Sequence, residues 1–142
     1  MSAKAVSGTH RLKIRTSRRT ELKNVTEEIE RIVSASGCVH GVCHLYVPHT
    51  TAGVMVNEGY DPDVARDMEV MFDRLIPHEG DYRHAEGNSD SHIKTALIGT
   101  SETIWIEGGR LVLGRWQVIF FAEFDGPRSR DLHVKIVPDP PR

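Results

Sequence analysis

The second half of the chain carries a series of short segments rich in β-branched and aromatic residues. Of all the features of the sequence, this series most restricts the folds that the chain can adopt. Such segments predict strands, and the short turns between them favour antiparallel pairing. Gly108 and Gly109 form one of these turns. The predicted late strands are residues 103–106, 111–113, 116–124 and 132–137. We therefore expect a late antiparallel sheet built as a meander, and not alternating parallel units.

The first half of the chain adds further strand segments. Residues 10–16 alternate apolar and polar side chains, which is the period-two pattern of a half-buried strand. Residues 41–47 and 53–56 are rich in strand-forming residues, with a polar break between them. These last two segments are predicted to be strands that can pair as neighbours.

Three segments have the apolar spacing and the end signals of helices. Asn24 and Glu27 resemble a capping box for a helix over residues 25–35. Asp61 is a good N-cap for a longer helix, because Pro62 follows it and a continuous apolar stripe extends to Ile76. A short helix through Ala96 and Leu97 would end at Gly99 and place His92 in its first turn.

Length and composition favour one ordinary domain over residues 1–142. Hydrophobic residues make up 39% and charged residues 27%, and the net charge of −2 gives no global attraction for nucleic acid or anionic membranes. Residues 1–9 lack the apolar run of a signal peptide, and no segment approaches the length of a membrane-spanning helix. We expect a cytoplasmic protein with no nucleic-acid or membrane partner.

Three of the eight histidines lie in polar, loop-like contexts that single them out as candidates for chemistry. They are His49, His84 and His92. Neutral imidazole is a common ligand of zinc and similar metals, and three imidazoles with one open position would make a catalytic site. Their scattered spacing matches no local ligand motif, however, so unrelated surface histidines remain an alternative interpretation.

Polar residues directly after the strand segment 53–56 are candidates for a pocket. Asn57 and Glu58 precede the predicted N-cap of the second helix. Because they lie before the first helical turn, a favourable interaction with the helix dipole does not explain their presence well. Glu58 is a candidate general acid or base, or a support for a ligand.

Two short turns carry backbone donors and polar side chains of the kind that can bind a phosphate. Thr100 and Ser101 lie in the first turn, and Gln117 lies in the second. Arg128 and Arg130 add guanidinium groups capable of paired contacts with a phosphate, although arginines in such a loop are more often simply solvated.

The order of several short motifs along the chain points to a known family. The motifs are His49-Thr50-Thr51-Ala52, Asn57-Glu58, Asp61-Pro62 with Val64, Asp67-Met68-Glu69, His84, Ser91-His92-Ile93-Lys94, Gly99-Thr100-Ser101, Gly114 with Trp116-Gln117, and Gly126-Pro127-Arg128. In this order they resemble the YjbQ family, also described as secondary thiamine-phosphate synthase enzymes. Ser91 is a small departure, because many relatives carry alanine before this histidine.

The resemblance implies a fold, an assembly and a cofactor. The fold would be a compact α+β domain, with an antiparallel β-sandwich or barrel-like sheet, two main helices and one short helix. The assembly would be a homotrimer, and His49, His84 and His92 would bind a divalent metal in a pocket at the subunit interfaces. Zinc suits such a site, but nickel or cobalt would also be accepted.

The activity implied by the resemblance is a weak or secondary thiamine-phosphate synthase reaction on a small phosphorylated substrate. The three histidines would hold the metal and act as catalytic groups, with Glu58 as the proton-transferring or orienting residue. Asn57, Thr100, Ser101, Gln117 and Arg128 would bind the substrate or its phosphate. The alternatives are a metal-dependent hydrolase of a small phosphorylated or carbonyl compound and a noncatalytic trimer that binds a ligand or a partner protein.

Overall fold

The computed structural model describes residues 8–141, so the predicted domain over residues 1–142 and the amino-terminal segment 1–9 extend beyond this range. The strands are β1 (Gly8–Arg15), β2 (Glu21–Asn24), β3 (Gly41–Tyr46), β4 (Ala52–Glu58), β5 (Ser101–Glu107), β6 (Arg110–Leu111), β7 (Gln117–Glu123) and β8 (Ser129–Pro138). The helices are α1 (Thr26–Ser36), α2 (Pro62–Leu75) and α3 (Ser89–Ile98).

The strands form two antiparallel sheets, which confirms the predicted α+β class with antiparallel sheets and three helices. The larger sheet has the order β1-β8-β3-β5-β6, and the smaller one has the order β2-β7-β4. Two expectations about pairing are wrong. Strands β3 and β4 lie in different sheets, and β7 and β8 also separate, so the late strands do not form one meander.

One hydrophobic core joins the two sheets and α1. Alternate residues of β3 and β8 are buried, as the period-two pattern requires. Their apolar side chains pack in the same cluster as those of β4, β7 and α1. Representative members, each with 1% or less of its surface exposed, are Ile29, Leu45, Val54, Phe121 and Leu132. The sheets therefore face each other across a shared apolar interior.

The two main helices lie close to their predicted positions. In α2, the Asp61 side chain accepts a hydrogen bond from the backbone of Asp63, so the predicted N-cap is confirmed. In α1, the N-cap residue makes no side-chain capping bond, and Asn24 instead accepts from Thr26, so the expected capping box is absent. Helix α1 ends at Gly37, whose positive φ of 73° suits glycine.

Helix α3 differs from the other helices because its buried residues are polar. They are Asp90, Ser91, Lys94 and Thr95. The carboxyl end of α3 meets β4, where Gly99 accepts a hydrogen bond from the backbone of Val54. A Cβ atom at Gly53 would clash with the Gly99 carbonyl oxygen, so glycine is required for this close approach.

Candidate ligand-binding site

A network of charged side chains holds helix α3 against the rest of the molecule, in addition to the apolar packing of Ile98. Asp90 is fully buried and accepts hydrogen bonds from the guanidinium group of Arg19 at 2.9 and 3.0 Å and from Lys94 at 2.9 Å. Lys94 also donates to Asp73 of α2 at 2.8 Å. Charge-assisted bonds of this kind restrict geometry strongly. The direction in which α3 presents His92 is therefore set by this network.

Strand β8 fixes the ring of His49, which lies in the segment between β3 and β4. The backbone N–H of Asp131 donates to Nε2 of His49 at 2.9 Å. A backbone N–H can only donate, so Nε2 accepts and the neutral ring carries its proton on Nδ1. Burial lowers the pKa of His49, and the positive charge of Arg130 lowers this pKa further. The ring is therefore neutral at neutral pH and offers an N–H donor.

A surface cleft of about 610 Å³ lies between this segment and α3. We call it the histidine cleft, and it is lined by residues 46–50 on one side and by His92, Thr95, Ala96, Gly99 and Thr100 on the other. Its size is that of a small-molecule site. The lining contains imidazole and hydroxyl groups but no carboxylate, lysine or arginine side chain.

Thr95 contributes an unusual hydroxyl group to this region. The residue lines the histidine cleft but is only 5% exposed, and its Oγ1 has no hydrogen-bond partner within residues 8–141. An unpaired buried hydroxyl costs roughly 1–3 kcal/mol. The oxygen itself lies behind the surface of the cleft, so a bound polar group would remove this cost only after the Thr95 side chain rotates toward it.

His84 lies beside His92 and not beside His49. The ring centroids of His84 and His92 are 5.5 Å apart, and the ring planes are nearly perpendicular at 84°. These two histidines line a second surface cavity of about 530 Å³. His84 Nε2 also lies 3.7 Å from a carboxylate oxygen of Glu86. His92 therefore borders both cavities, with His49 in one and His84 in the other.

The three predicted metal ligands therefore do not come together within one chain, because His49 and His84 lie in different cavities. Among residues 8–141, no group of three or more histidine, cysteine, aspartate or glutamate side chains is arranged to hold a metal ion. Of the three predicted ligands, only the rings of His84 and His92 lie close together. His49 fits less well, because its Nε2 already accepts a hydrogen bond from Asp131. The three-histidine ligand set stays a prediction.

Of the residues predicted to bind substrate, only Thr100 lines the histidine cleft within the part of the chain that the structure describes. Asn57 and Glu58 lie at the far end of β4, about 20 Å along the strand from its start. Gln117 is the register partner of Glu58, and its side chain accepts a hydrogen bond from the backbone of Gly114. These three residues therefore form a separate group.

The remaining predicted residues are also outside the lining of the cleft. Ser101 begins β5 as an exposed residue. Arg128 is paired with Asp125 at 2.9 Å and donates to the backbone oxygen of the same residue. Arg130, expected in a solvated loop, is instead a buried residue of β8 with 5% exposure.

Among the cleft residues that sequence reasoning missed, Thr95 and Tyr46 carry polar side chains. Thr95 lies one helical turn after His92, so the i, i+3 spacing on α3 is a signal that could have found it. Tyr46, at the end of β3, lines the cleft and stacks on His133 with 6.4 Å between ring centroids. Nothing in the local sequence around Tyr46 marks it, because its position depends on sheet pairing.

The comparison with known families agrees with the motif order. The family described as "UPF0047 protein YjbQ-like" matches residues 10–139. The chain belongs to the YjbQ/UPF0047 family. It is 49% identical to a UPF0047 protein of Methanocaldococcus jannaschii, with 89% of this chain and 91% of that protein covered. It is 45% identical to the UPF0047 protein YugU of Bacillus subtilis, with 89% and 96% covered.

Solved structures of YjbQ/UPF0047 proteins share this fold. An uncharacterized family member from Clostridium acetobutylicum superposes with a TM-score of 0.88 at 46% identity, covering 90% of this chain and 99% of that one. A YbjQ-like protein of unknown function from Sulfolobus solfataricus gives a TM-score of 0.90 at 28% identity, covering 94% and 99%.

These relatives correct the functional expectation drawn from the YjbQ resemblance. The names of the related proteins state no activity, and the Sulfolobus solfataricus structure is described as being of unknown function. Thiamine-phosphate synthase activity is therefore not supported, and that prediction is wrong as a statement of function. The names of these relatives also give no support for zinc or for a trimer.

Within residues 8–141, no helix combines the length and the apolar character needed to cross a membrane. The expected cytoplasmic location stays a prediction.

Proposed function

We propose that the histidine cleft binds a small molecule that carries a phosphate or a similar anionic group. The observation that carries this proposal is the chemistry of the lining. Hydroxyl and imidazole groups form the polar part of the lining, and none of the described residues that line the cleft carries a carboxylate that would repel an anion. Such groups can each donate a hydrogen bond to an anionic oxygen.

The hydrogen bonding of the free protein supports this proposal. His49 presents an Nδ1–H group, because its Nε2 accepts from Asp131. Thr95 has a buried hydroxyl that lacks a partner within the described residues. An anionic oxygen can accept from both kinds of donor, whereas an ammonium group or a metal ion cannot accept a hydrogen bond.

The proposal is tested by titrating untagged protein with inorganic phosphate while recording amide chemical shifts by NMR. We expect the largest shifts at residues 49–51 and 92–96, with the remainder of the chain little changed. Small phosphorylated compounds are then compared by calorimetry. The variant His49→Phe keeps an aromatic ring but loses the Nδ1–H donor, so we expect phosphate affinity to fall about tenfold.

His10→Gln is the matched control, since His10 is an exposed residue of β1 that does not line the cleft. Its phosphate affinity should equal that of the wild type. Shifts confined to other surfaces, or equal affinity in His49→Phe and the wild type, would exclude the cleft as the anion site.

A second candidate function is supported by the arrangement of His84 and His92. Two perpendicular rings with centroids 5.5 Å apart suit two ligands of one divalent transition metal. The remaining positions would be taken by water or by groups from another subunit of the predicted homotrimer. A bound metal would supply a positive charge beside the histidine cleft, because His92 lines both cavities.

Calorimetric titration of metal-free, untagged protein with zinc, nickel or cobalt salts tests this second candidate. We expect one site per chain that is lost in both His84→Gln and His92→Gln and retained in His10→Gln. Equal metal binding by the wild type and the first two variants would reject the pair as a metal site. If metal-free protein binds phosphate, the anion site does not depend on a metal, and the two candidate functions can be tested separately.

A further inference from the structure

An ion pair lies buried next to the segment that carries His49. Arg130 of β8 is 5% exposed and Glu123 of β7 is not exposed at all. The Arg130 guanidinium donates from Nε to one oxygen of Glu123 at 2.9 Å and from a second nitrogen to the other oxygen. Glu123 also accepts from the Thr16 hydroxyl at 2.7 Å and from the backbone N–H of Asp125 at 3.0 Å. The pair is therefore bidentate, and both oxygens of Glu123 have a further hydrogen-bond donor.

Stability alone does not account for this pair. Removing two charges from water costs several kcal/mol per ion, and apolar residues of similar volume often serve as well. What the pair adds is geometry, because a planar guanidinium fork fixes its partners more strictly than apolar packing does.

One partner that the fork fixes, Thr51, directly follows the cleft-lining residues 46–50. The same guanidinium nitrogen of Arg130 donates to the hydroxyl of Thr51 at 2.8 Å and to its carbonyl oxygen at 3.3 Å. Thr51 follows His49 by two positions, and the next residue of β8, Asp131, binds the His49 ring through its backbone N–H. Adjacent residues of one strand therefore hold both the backbone and the ring of the segment 49–51.

We propose that Arg130 is a positioning residue that holds His49 as an Nδ1–H donor toward an anionic oxygen of the ligand. The ligand part of this inference rests on the proposed anion site, but the proton position on the ring is a property of the free protein. In this role His49 donates a hydrogen bond to the ligand. It is not a ligand of any metal that His84 and His92 bind. This departs from the three-histidine site expected from the sequence.

The geometry explains why lysine cannot replace Arg130. The fork makes contacts with both oxygens of Glu123 and with Thr51 at the same time. An ammonium group is a compact charge without this planar arrangement. Arg130→Lys keeps the charge and is expected to release the segment 49–51, so that the Asp131 N–H no longer determines which ring nitrogen is protonated.

The first measurement is the nitrogen chemical shifts of the His49 ring, recorded by long-range proton–nitrogen NMR on untagged, ligand-free protein. For the wild type we expect a protonated Nδ1 and an unprotonated Nε2. Arg130→Lys should give a mixture of the two tautomers. Arg11→Lys, which changes an exposed arginine of β1, should behave like the wild type. A purely structural role for Arg130 would lower stability without changing the tautomer of the folded fraction.

The second measurement is inorganic phosphate affinity. We expect about tenfold weaker binding in Arg130→Lys, which corresponds to losing one well-placed hydrogen bond. If Arg130→Lys does not fold, Thr51→Val replaces it, because this variant keeps the ion pair and removes one contact to the segment.

The possible results are distinguishable. An Nε2-protonated ring in the wild type overturns the inference. So does an unchanged tautomer, whatever the phosphate affinity, in a folded Arg130→Lys or, where that variant does not fold, Thr51→Val. Absence of phosphate binding in the wild type refutes the proposed function instead. The nitrogen chemical shifts of the His49 ring then test the positioning role of Arg130 without reference to a ligand.

Discussion

The ammonium group of Lys94 lies 2.9 Å from a carboxylate oxygen of Asp90, and these two side chains are 1% and 0% exposed. They are one helical turn apart on α3. Lys94 also reaches Asp73 of α2, and Arg19 holds Asp90 from the other side. Helix α3 is therefore anchored by the buried pair of Lys94 and Asp90, which the partly exposed charges of Arg19 and Asp73 flank. This anchor lies directly beside the residues that line the histidine cleft.

We predict that Lys94→Met strongly destabilises the chain. Breaking a buried pair by removing one partner costs about 3–5 kcal/mol, because a charge is left buried with too few partners. Here Arg19 still compensates Asp90 in part, so a value near the lower end, about 3 kcal/mol, is expected. Urea denaturation followed by circular dichroism measures the change in unfolding free energy.

The matched control is Arg31→Met, which breaks an exposed pair. Arg31 and Glu27 lie 3.6 Å apart with side chains 74% and 82% exposed. Exposed pairs contribute about 0–1 kcal/mol, so little change is expected. Equal unfolding free energies for Lys94→Met and the control would show that the buried network does not anchor α3.

The buried carboxylates also predict how stability depends on acid. Burial alone would raise the pKa of Asp90, but hydrogen bonds from Arg19 and Lys94 and their charges outweigh it and hold this pKa far below its ordinary value. Burial alone would likewise raise the pKa of Glu123, but hydrogen bonds, led by the one from Arg130, outweigh burial and lower this pKa. Both groups bind protons more readily in the unfolded chain.

The sign of the effect follows from linkage. Groups with depressed pKa values contribute fully above their unfolded values, about 4 for carboxylates, and this contribution is lost as the pH falls toward the folded values. We expect the unfolding free energy to decline steadily below pH ~4. Urea denaturation at a series of pH values measures this decline, which should be shallower in Glu123→Gln. A flat wild-type profile down to pH ~3 would contradict it.

Local signals predicted the helices well because capping and periodicity are properties of neighbouring residues. The N-cap at Asp61 and the end of α1 at Gly37 follow from such signals. Strand segments were also located, apart from the short β2. The pairing of β3 with β8 and of β4 with β7 was not predictable, since strands distant in the sequence meet through tertiary packing.

The candidate site was predictable only in part for the same reason. His49 and His92 were found from their polar contexts, and the structure places both in one cleft. Arg130 was misplaced, because its burial depends on Glu123 from another strand. Asn57 and Glu58 have the local pattern of pocket residues, but their strand directs them to the opposite end of the smaller sheet.

Two buried threonines near the cleft are predicted to respond to valine substitution in opposite ways. Thr95 has a buried hydroxyl without a partner within the described residues, so Thr95→Val should be neutral or stabilising by up to about 1 kcal/mol. Thr51 accepts a hydrogen bond from Arg130, so Thr51→Val should cost about 1–3 kcal/mol. Thermal unfolding of both variants provides the comparison.

The Thr95 variant has a second readout. If its hydroxyl serves the ligand, Thr95→Val keeps its fold but binds inorganic phosphate about tenfold more weakly. A strongly destabilised Thr95→Val would instead mean that the hydroxyl has a partner in the free protein, and unchanged phosphate affinity would remove Thr95 from the anion site.

The outer face of the larger sheet bears on the predicted homotrimer. Val42 of β3 is the register partner of both Trp105 of β5 and Val137 of β8, which forms an apolar row across three strands. Trp105 is 65% exposed and Val137 is 38% exposed. Apolar rows of this kind on a surface commonly mark interfaces between proteins. We expect light scattering to give three times the 15.9 kDa mass of one chain.

Trp105→Glu should convert this trimer to single chains, because a carboxylate in an apolar interface loses its water without gaining a partner. Val39→Glu is the control, since Val39 is 55% exposed but lies outside the strands of the sheet. A wild-type mass of one chain would reject the trimer. A trimer that persists in Trp105→Glu would move the interface to another face of the molecule.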